Sequence, residues 1–261
     1  MAKLMGVVNV TPDSFSDGGL YLDPAAAIAH GRELVGAGAE ILDVGGESTR
    51  PGADPVGAEE ELRRVVPVIE GLRGSSCEIS VDTSKASVAA AALEAGATIV
   101  NDVTALRGDP GMAALCAERG ATVVLMHMLG EPRTMQDDPR YGDVVAEVRA
   151  FLAERLEAAA DAGIAEEDVW LDPGIGFGKT AAHNMELLRR LGELRELGRP
   201  LVIGTSRKSF IGRVDGSGPS ERLGGTIASS VLAAAEGAEV LRVHDVAEVG
   251  QALAVTAAIL G

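Results

Sequence analysis

The stretch Ile41-Leu42-Asp43-Val44-Gly45-Gly46-Glu47-Ser48-Thr49-Arg50-Pro51-Gly52 decides how the chain is read. It starts as a hydrophobic run with a single acid, Asp43, inside it. Two glycines then break the strand. A carboxylate, two hydroxyls and an arginine follow before Pro51-Gly52 turns the chain. A buried strand that opens at its C-terminal end into polar, turn-forming residues is how a parallel α/β protein builds a site. The fold then depends on whether the chain repeats this design.

It does. Short β-branched runs recur at Leu4–Val10, Ile79–Asp82, Thr98–Val103, Thr122–Met128, Val169–Asp172, Leu201–Thr205 and Val240–His244. They are apolar nearly throughout rather than alternating, as strands covered on both faces are. Helical segments separate them. Pro24–Val35 has Asp23 as N-cap and proline at its first position; Ala58–Leu72 carries Leu62, Val65, Val66 and Ile69 on one face. A helix capped by Ser84 runs through Ala95, and Asp143–Ala162, Ala181–Leu197, Glu221–Ala235 and Asp245–Leu260 complete the set. Gly36, Gly96, Gly120, Gly163, Gly198 and Gly237 stand where left-handed C-caps are needed before the next strand. Eight strand–helix units in 261 residues predict one (β/α)8 TIM barrel domain over 1–261, in preference to an open doubly wound sheet. Gly216-Ser217-Gly218-Pro219 falls inside one βα connection and not between domains.

Bulk properties narrow the partners. A net charge of −16 disfavours nonspecific nucleic-acid binding and an anionic membrane surface, without excluding a small anionic substrate. Cys77 and Cys116 have no metal spacing and form no disulfide framework, so buried thiols are expected. The first residues lack a signal-peptide core and no apolar run is long enough to span a bilayer, which predicts a soluble cytoplasmic protein with no membrane partner.

In a barrel, function sits at the C-terminal ends of the strands. Those ends carry Asn9 with Thr11, Asp43, Asp82, Asn101 with Asp102, His127, Asp172, Ser206-Arg207-Lys208, and Arg242 with His244. One Asp or Asn there is readily a turn residue or cap. Eight polar ends converging on one mouth are not. A carboxylate matches a heterocycle edge that carries an amino group and a ring N–H, as pterins and guanines do. Lys208, Arg242 and His244 come from the last two strands, the quadrant that often holds phosphate in such barrels. Residue types alone therefore point to a heterocycle with a phosphate-bearing arm.

Other features read as structure. Pro173–Thr180 resembles a phosphate-binding loop but has proline where its first glycine belongs. His127 is either a packed core residue or a ligand contact; His30 and His183 read as solvated or capping. Glu59-Glu60-Glu61 reads as the first turn of a helix, and Glu131–Tyr141 as a surface loop.

The motifs together resemble a known family. Asn9-Val10-Thr11-Pro12-Asp13-Ser14-Phe15-Ser16-Asp17-Gly18-Gly19 and Asp43–Gly52 are similar to the two signature loops of dihydropteroate synthases. Ser80–Thr83, Asn101–Val103, Met126–Met128, Asp172–Lys179, Ser206–Ser209 and Arg242–Val246 resemble the family's remaining motifs, in order. The resemblance implies condensation of 6-hydroxymethyl-7,8-dihydropterin diphosphate with p-aminobenzoate, giving dihydropteroate and diphosphate. It implies that Asp82, Asn101, Asp172 and Lys208 hold the pterin and that Arg242 stacks on it. Asn9, Arg242 and His244 would grip the diphosphate, with Asn9 on Mg²⁺, and Thr49 would touch both substrates. Phe15, Thr49, Pro51 and Ser209 would form the p-aminobenzoate pocket, and Asp17, Arg50, Lys208, Arg242 and His244 would act in catalysis. The resemblance further implies a homodimer and competition by sulfonamides. Two rivals remain: a pterin-barrel methyltransferase, which needs no diphosphate grip, and a non-catalytic pterin-binding relative, which should show damage in the two loops.

Overall fold

The computed structural model describes residues 2–11, 23–49 and 52–261. Its strands are β1 (Lys3–Asn9), β2 (Ile41–Gly45), β3 (Glu78–Asp82), β4 (Ile99–Asp102), β5 (Thr122–Met126), β6 (Val169–Asp172), β7 (Val202–Ile203) and β8 (Val240–Val243). They pair in parallel in the order β6-β5-β4-β3-β2-β1-β8-β7. A parallel bridge between Leu171 and Leu201 brings the two ends of the sheet together. The helices are α1 (Pro24–Gly36), α2 (Ala58–Leu72), α3 (Ala86–Ala95), α4 (Met112–Arg119), α5 (Val144–Asp161), α6 (Ala181–Arg189), α7 (Leu191–Arg195), α8 (Ser209–Asp215), α9 (Leu223–Ala235) and α10 (Val246–Leu260). This is the (β/α)8 TIM barrel that the sequence predicts. Among the described residues, no helix is long and apolar enough to cross a membrane.

Two apolar layers hold it together, and their geometry places the site. Leu42, Val44, Val81, Val100, Leu125, Leu171 and Leu241 face outward and share one core with helix side chains such as Val65, Leu72, Val88 and Leu152. Inside the barrel, Met5, Ile41, Ile99, Val124, Val202 and Val240 form a separate plug, with Trp170 packed against it. Side chains on a strand alternate faces. Two residues beyond Ile41, Ile99, Trp170 and Val240, the next inward positions are therefore Asp43, Asn101, Asp172 and Arg242. The interior turns from apolar to ionic in a single layer.

Local chemistry sets most boundaries where expected. Asp23 caps α1 by accepting from Ala25 N at 3.2 Å, and Asp143 caps α5 through Val145 and Ala146. His183 forms a capping box with Thr180 at the start of α6, the capping role expected of it. Four expectations change. Ser84 does not cap α3; Asp109 reaches in from the next loop and accepts from Ala86 N at 2.9 Å. Gly36 is the last residue of α1, and the positive φ falls on Gly38 instead. The segment 181–197 breaks into two helices at Arg190, which leaves helical geometry as its guanidinium reaches Asp143 on α5 and Glu193 on α7. β5 stops at Met126 and β7 is two residues long, because the chain turns into site loops sooner than its apolar runs suggest.

One turn has no tolerance for a side chain. Gly174 follows Asp172-Pro173 with φ +67°, and a Cβ there would lie 1.9 Å from the carbonyl oxygen of His127. The left-handed conformation costs about 1–2 kcal/mol for an L-residue, and overpacking adds about 1–3 kcal/mol. Gly174→Ala is expected to destabilise the fold by about 3 kcal/mol or more, read as a lowered urea midpoint at unchanged slope.

Candidate active site

Asp43 is the hub of the ionic layer. It is fully buried and accepts from Ser80 Oγ at 2.6 Å, Asn101 Nδ2 at 3.1 Å and Arg242 Nε at 2.6 Å. The same guanidinium donates from Nη2 to Asp82 at 3.0 Å. One arginine thus bridges two acids, and a planar fork suits that task better than a point charge. Burial raises the Asp82 carboxyl above its usual range; neighbouring Asp43 adds to this and Arg242 opposes it. The bond from Asn101 to Asp43 turns its amide nitrogen toward the hub.

Asp172 lies in the same layer on β6. Its Oδ1 accepts from Gly174 N at 2.7 Å, which fixes the carboxylate at the root of its loop. Burial raises its pKa, opposed by Lys208 and by that backbone bond. Lys208 N-caps α8 and sends its ammonium back over the mouth, to the Ile175 carbonyl and 4.7 Å from the Phe177 ring centre. Burial lowers Lys208 to about 8 against the attraction of Asp172.

The other expected residues fall around this centre. His244 follows β8 with Nδ1 2.9 Å from Ser206 Oγ, and its backbone N–H donates to the same hydroxyl at 3.2 Å. Arg207 turns away at φ +55° and pairs with Asp245 through two nitrogens. Asn9 ends β1, whose neighbours are β2 and β8. Thr49 lines a depression beside the mouth with Asp82, Thr83 and Val103, closed opposite by Glu131 and Pro132. Ser209 begins α8 and is exposed. Phe15, Asp17, Arg50 and Pro51 lie outside the described residues.

Several contributors were not legible beforehand. Met126, Met128, Val103 and Met135 form an apolar wall with Phe177 packed against it. Asp102 faces its own loop and accepts from Thr104 N and Oγ1 and from Leu106 N, so it shapes the β4 loop. His127 is a core residue: it packs edge-on to Phe151 at 4.9 Å, and burial with Lys179 beside it lowers it to about 3. Lys179 is 3% exposed, with Nζ 2.8 Å from His127 Nδ1, 3.0 Å from Gly174 O and 2.9 Å from Phe177 O. Its Nζ sits in a cage of acceptors and ties the β6 loop into one unit, while burial lowers it to about 7 against the attraction of Asp172. The 131–141 loop is more than surface cover, since Tyr141 Oη donates to Gly178 O at 2.8 Å and Pro132 O accepts from Gly52 N at 3.3 Å.

Comparison with known proteins bears on this arrangement. A family model described as pterin binding enzyme matches residues 5–244. The dihydropteroate synthase of Escherichia coli (strain K12) is 50% identical over 258 residues, covering 98% of this chain and 91% of that protein. A Yersinia pestis dihydropteroate synthase solved with a sulfonamide drug superposes with a TM-score of 0.96 at 45% identity, covering 99% of this chain and 94% of that one. A Xanthomonas albilineans dihydropteroate synthase with 4-aminobenzoic acid gives 0.93 at 51% identity, covering 100% and 93%. Identity of this order along nearly the whole length, on the same barrel, carries one conclusion: the chain belongs to the dihydropteroate synthase family of pterin binding enzymes.

Proposed function

We propose that the chain condenses 6-hydroxymethyl-7,8-dihydropterin diphosphate with p-aminobenzoate, releasing diphosphate and forming 7,8-dihydropteroate, a step of folate biosynthesis. The observation that carries this reading is the hydrogen-bonded chain Asp82–Arg242–Asp43–Asn101 in the same layer as Asp172, with Lys208 above it. Asp82, Asn101 and Asp172 offer acceptors to the amino and ring N–H groups of a pterin edge. Arg242 offers a flat guanidinium for its face, and Met126 with Phe177 an apolar wall. The methyltransferase alternative needs no diphosphate grip, so it leaves His244 and its Ser206 partner without a task.

The reaction is an SN1-like substitution. The bond from the pterin methylene to the diphosphate oxygen breaks ahead of attack, and the electron-rich dihydropterin ring stabilises the resulting cation. The p-aminobenzoate nitrogen then forms the new C–N bond and loses a proton. Charge that develops on the leaving oxygen is met by fixed cations and hydrogen-bond donors, the arrangement that contributes most in such sites. Lys208, Arg242 and His244 are assigned that task, with Arg50. Asp17 is assigned to the cation or to the amine proton. Phe15, Thr49, Pro51 and Ser209 are assigned to p-aminobenzoate, and the same contacts would admit sulfonamides as competitors.

Among the described residues, no cluster of three His, Cys, Asp or Glu could hold a metal by itself. Asn9 at the end of β1 would supply an amide oxygen to an ion otherwise held by diphosphate and water, which suits Mg²⁺. When bound, Mg²⁺ would neutralise part of the diphosphate charge. A homodimer and a cytoplasmic location are proposed with this reading. Leu232 on α9 and Val255 and Ile259 on the adjoining α10 are exposed apolar side chains that support a dimer, and sedimentation at micromolar concentration tests it.

The reading is tested by turnover. Purified protein with Mg²⁺ and both substrates should release diphosphate and dihydropteroate in equal amounts; a protein that binds the pterin diphosphate and forms no product contradicts it. Lys208 adds a pH signature. It is an ammonium below about 8 and a neutral amine above it. The kcat/KM for the pterin diphosphate is therefore expected to fall with unit slope above about pH 8. Lys208→Arg, which stays charged, should remove that limb at lower absolute activity; a limb that persists belongs to another group.

A further inference from the structure

The loop that follows β2 is pinned at its stem by charges that take no part in the chemistry above. Glu61 on α2 is fully buried although it belongs to an acidic first turn. Its Oε2 meets Lys85 Nζ at 2.6 Å, and the same ammonium bonds Glu47 Oε2. The other oxygen of Glu47 accepts from Val56 N at 3.1 Å. One carboxylate therefore ties the start of the loop to its end, nine residues on, and Lys85 ties that carboxylate to the barrel. Arg64 Nη1 adds a bond to Gly46 O at 2.8 Å. At Gly46 itself a Cβ would lie 2.8 Å from Val65 Cγ1 and 3.0 Å from Glu61 Cγ, so α2 and the stem are in direct contact.

Burying Glu61 outright beside the half-buried Lys85 and Glu47 is costly, and such an ion pair is weak evidence for stability, which leaves room for a second role. Its position indicates which. Glu47 and Thr49 both line the depression beside Asp82. A loop whose ends are already joined loses less freedom when it closes on a ligand.

We propose that Lys85, acting through Glu47, is a positioning residue that presets the β2 loop stem for the second substrate. This rests on the synthase reading. The pterin layer is built on strands, so its affinity should not depend on the anchor; that of p-aminobenzoate should.

Lys85→Met alone would strand buried Glu61, so the main variant is the double Lys85→Met/Glu61→Gln. It is expected to raise KM for p-aminobenzoate roughly tenfold while the calorimetric Kd for the pterin diphosphate stays within about twofold (a tenfold change is about 1.4 kcal/mol). Glu47→Gln keeps an acceptor for Val56 and weakens only the lysine bond, so it should give a smaller rise. Amide exchange across residues 47–56 of the double variant should speed up about tenfold relative to wild type. Unchanged KM and exchange overturn the proposal. So does an equal loss for both substrates with a lowered Tm, which would indicate a merely structural role. If the wild type does not turn over, the synthase reading fails by itself, and the exchange rates still decide the anchor.

Discussion

Arg242→Met is expected to abolish measurable turnover and to lower stability by about 3–5 kcal/mol, the usual cost of removing one partner from a buried ionic group. The guanidinium is the cation that Asp43 and Asp82 share, and both acids are buried beside it. Methionine fills comparable volume and leaves two carboxylates that cannot both stay ionised at close range. The variant should therefore regain stability as pH falls and the pair takes up a proton, more steeply than the wild type, whose Asp82 carboxyl is already raised but opposed by Arg242. Sign and size are both accessible from urea unfolding at two pH values. A variant as stable as wild type at neutral pH would mean that the bridge is not what holds the ionic layer together.

Asp172→Asn should leave the fold nearly untouched and cripple binding. The amide oxygen can still accept from Gly174 N, so the loop keeps its root. What changes is the face toward the ligand, where a carboxylate that accepts two bonds becomes a group with one donor. Hydrogen bonds to charged groups contribute about 1.5–3 kcal/mol each, so the loss should weaken pterin diphosphate binding roughly 100-fold or more. Calorimetry on the folded variant measures it. An affinity within threefold of wild type would remove Asp172 from the pterin edge.

The barrel was legible because its strands are covered on both faces and carry unbroken apolar runs, whereas the helices alternate at a period of 3.6. The polar ends were legible for the same reason, since an acid at the end of such a run stands out. Their roles were not. Asp43 reads from sequence as one more polar strand end at the barrel rim, and only the strand register turns it inward onto Ser80, Asn101 and Arg242. Glu61 sits in a run of three glutamates that all suit a helix N-terminus; its burial depends on α2 packing against Gly46, a contact between distant segments. Met126 and Phe177 fall within motifs, but nothing in the sequence marks that they pack together on one wall. Helix α8 escaped because seven residues beside a glycine-rich turn give too short a pattern. The Lys179 cage was hidden for another reason: its acceptors are mostly backbone carbonyls, to which any sequence contributes.

The ionic layer at the barrel mouth is proposed to seat a pterin and aim its methylene outward. A crystal structure of the protein with 6-hydroxymethyl-7,8-dihydropterin diphosphate tests it most directly. The ring edge is expected within hydrogen-bond distance of Asp82, Asn101 and Asp172, its face on Arg242, and the diphosphate toward Asn9 and His244. A ring bound elsewhere, or seated in reverse with its diphosphate toward Asp172, would contradict it.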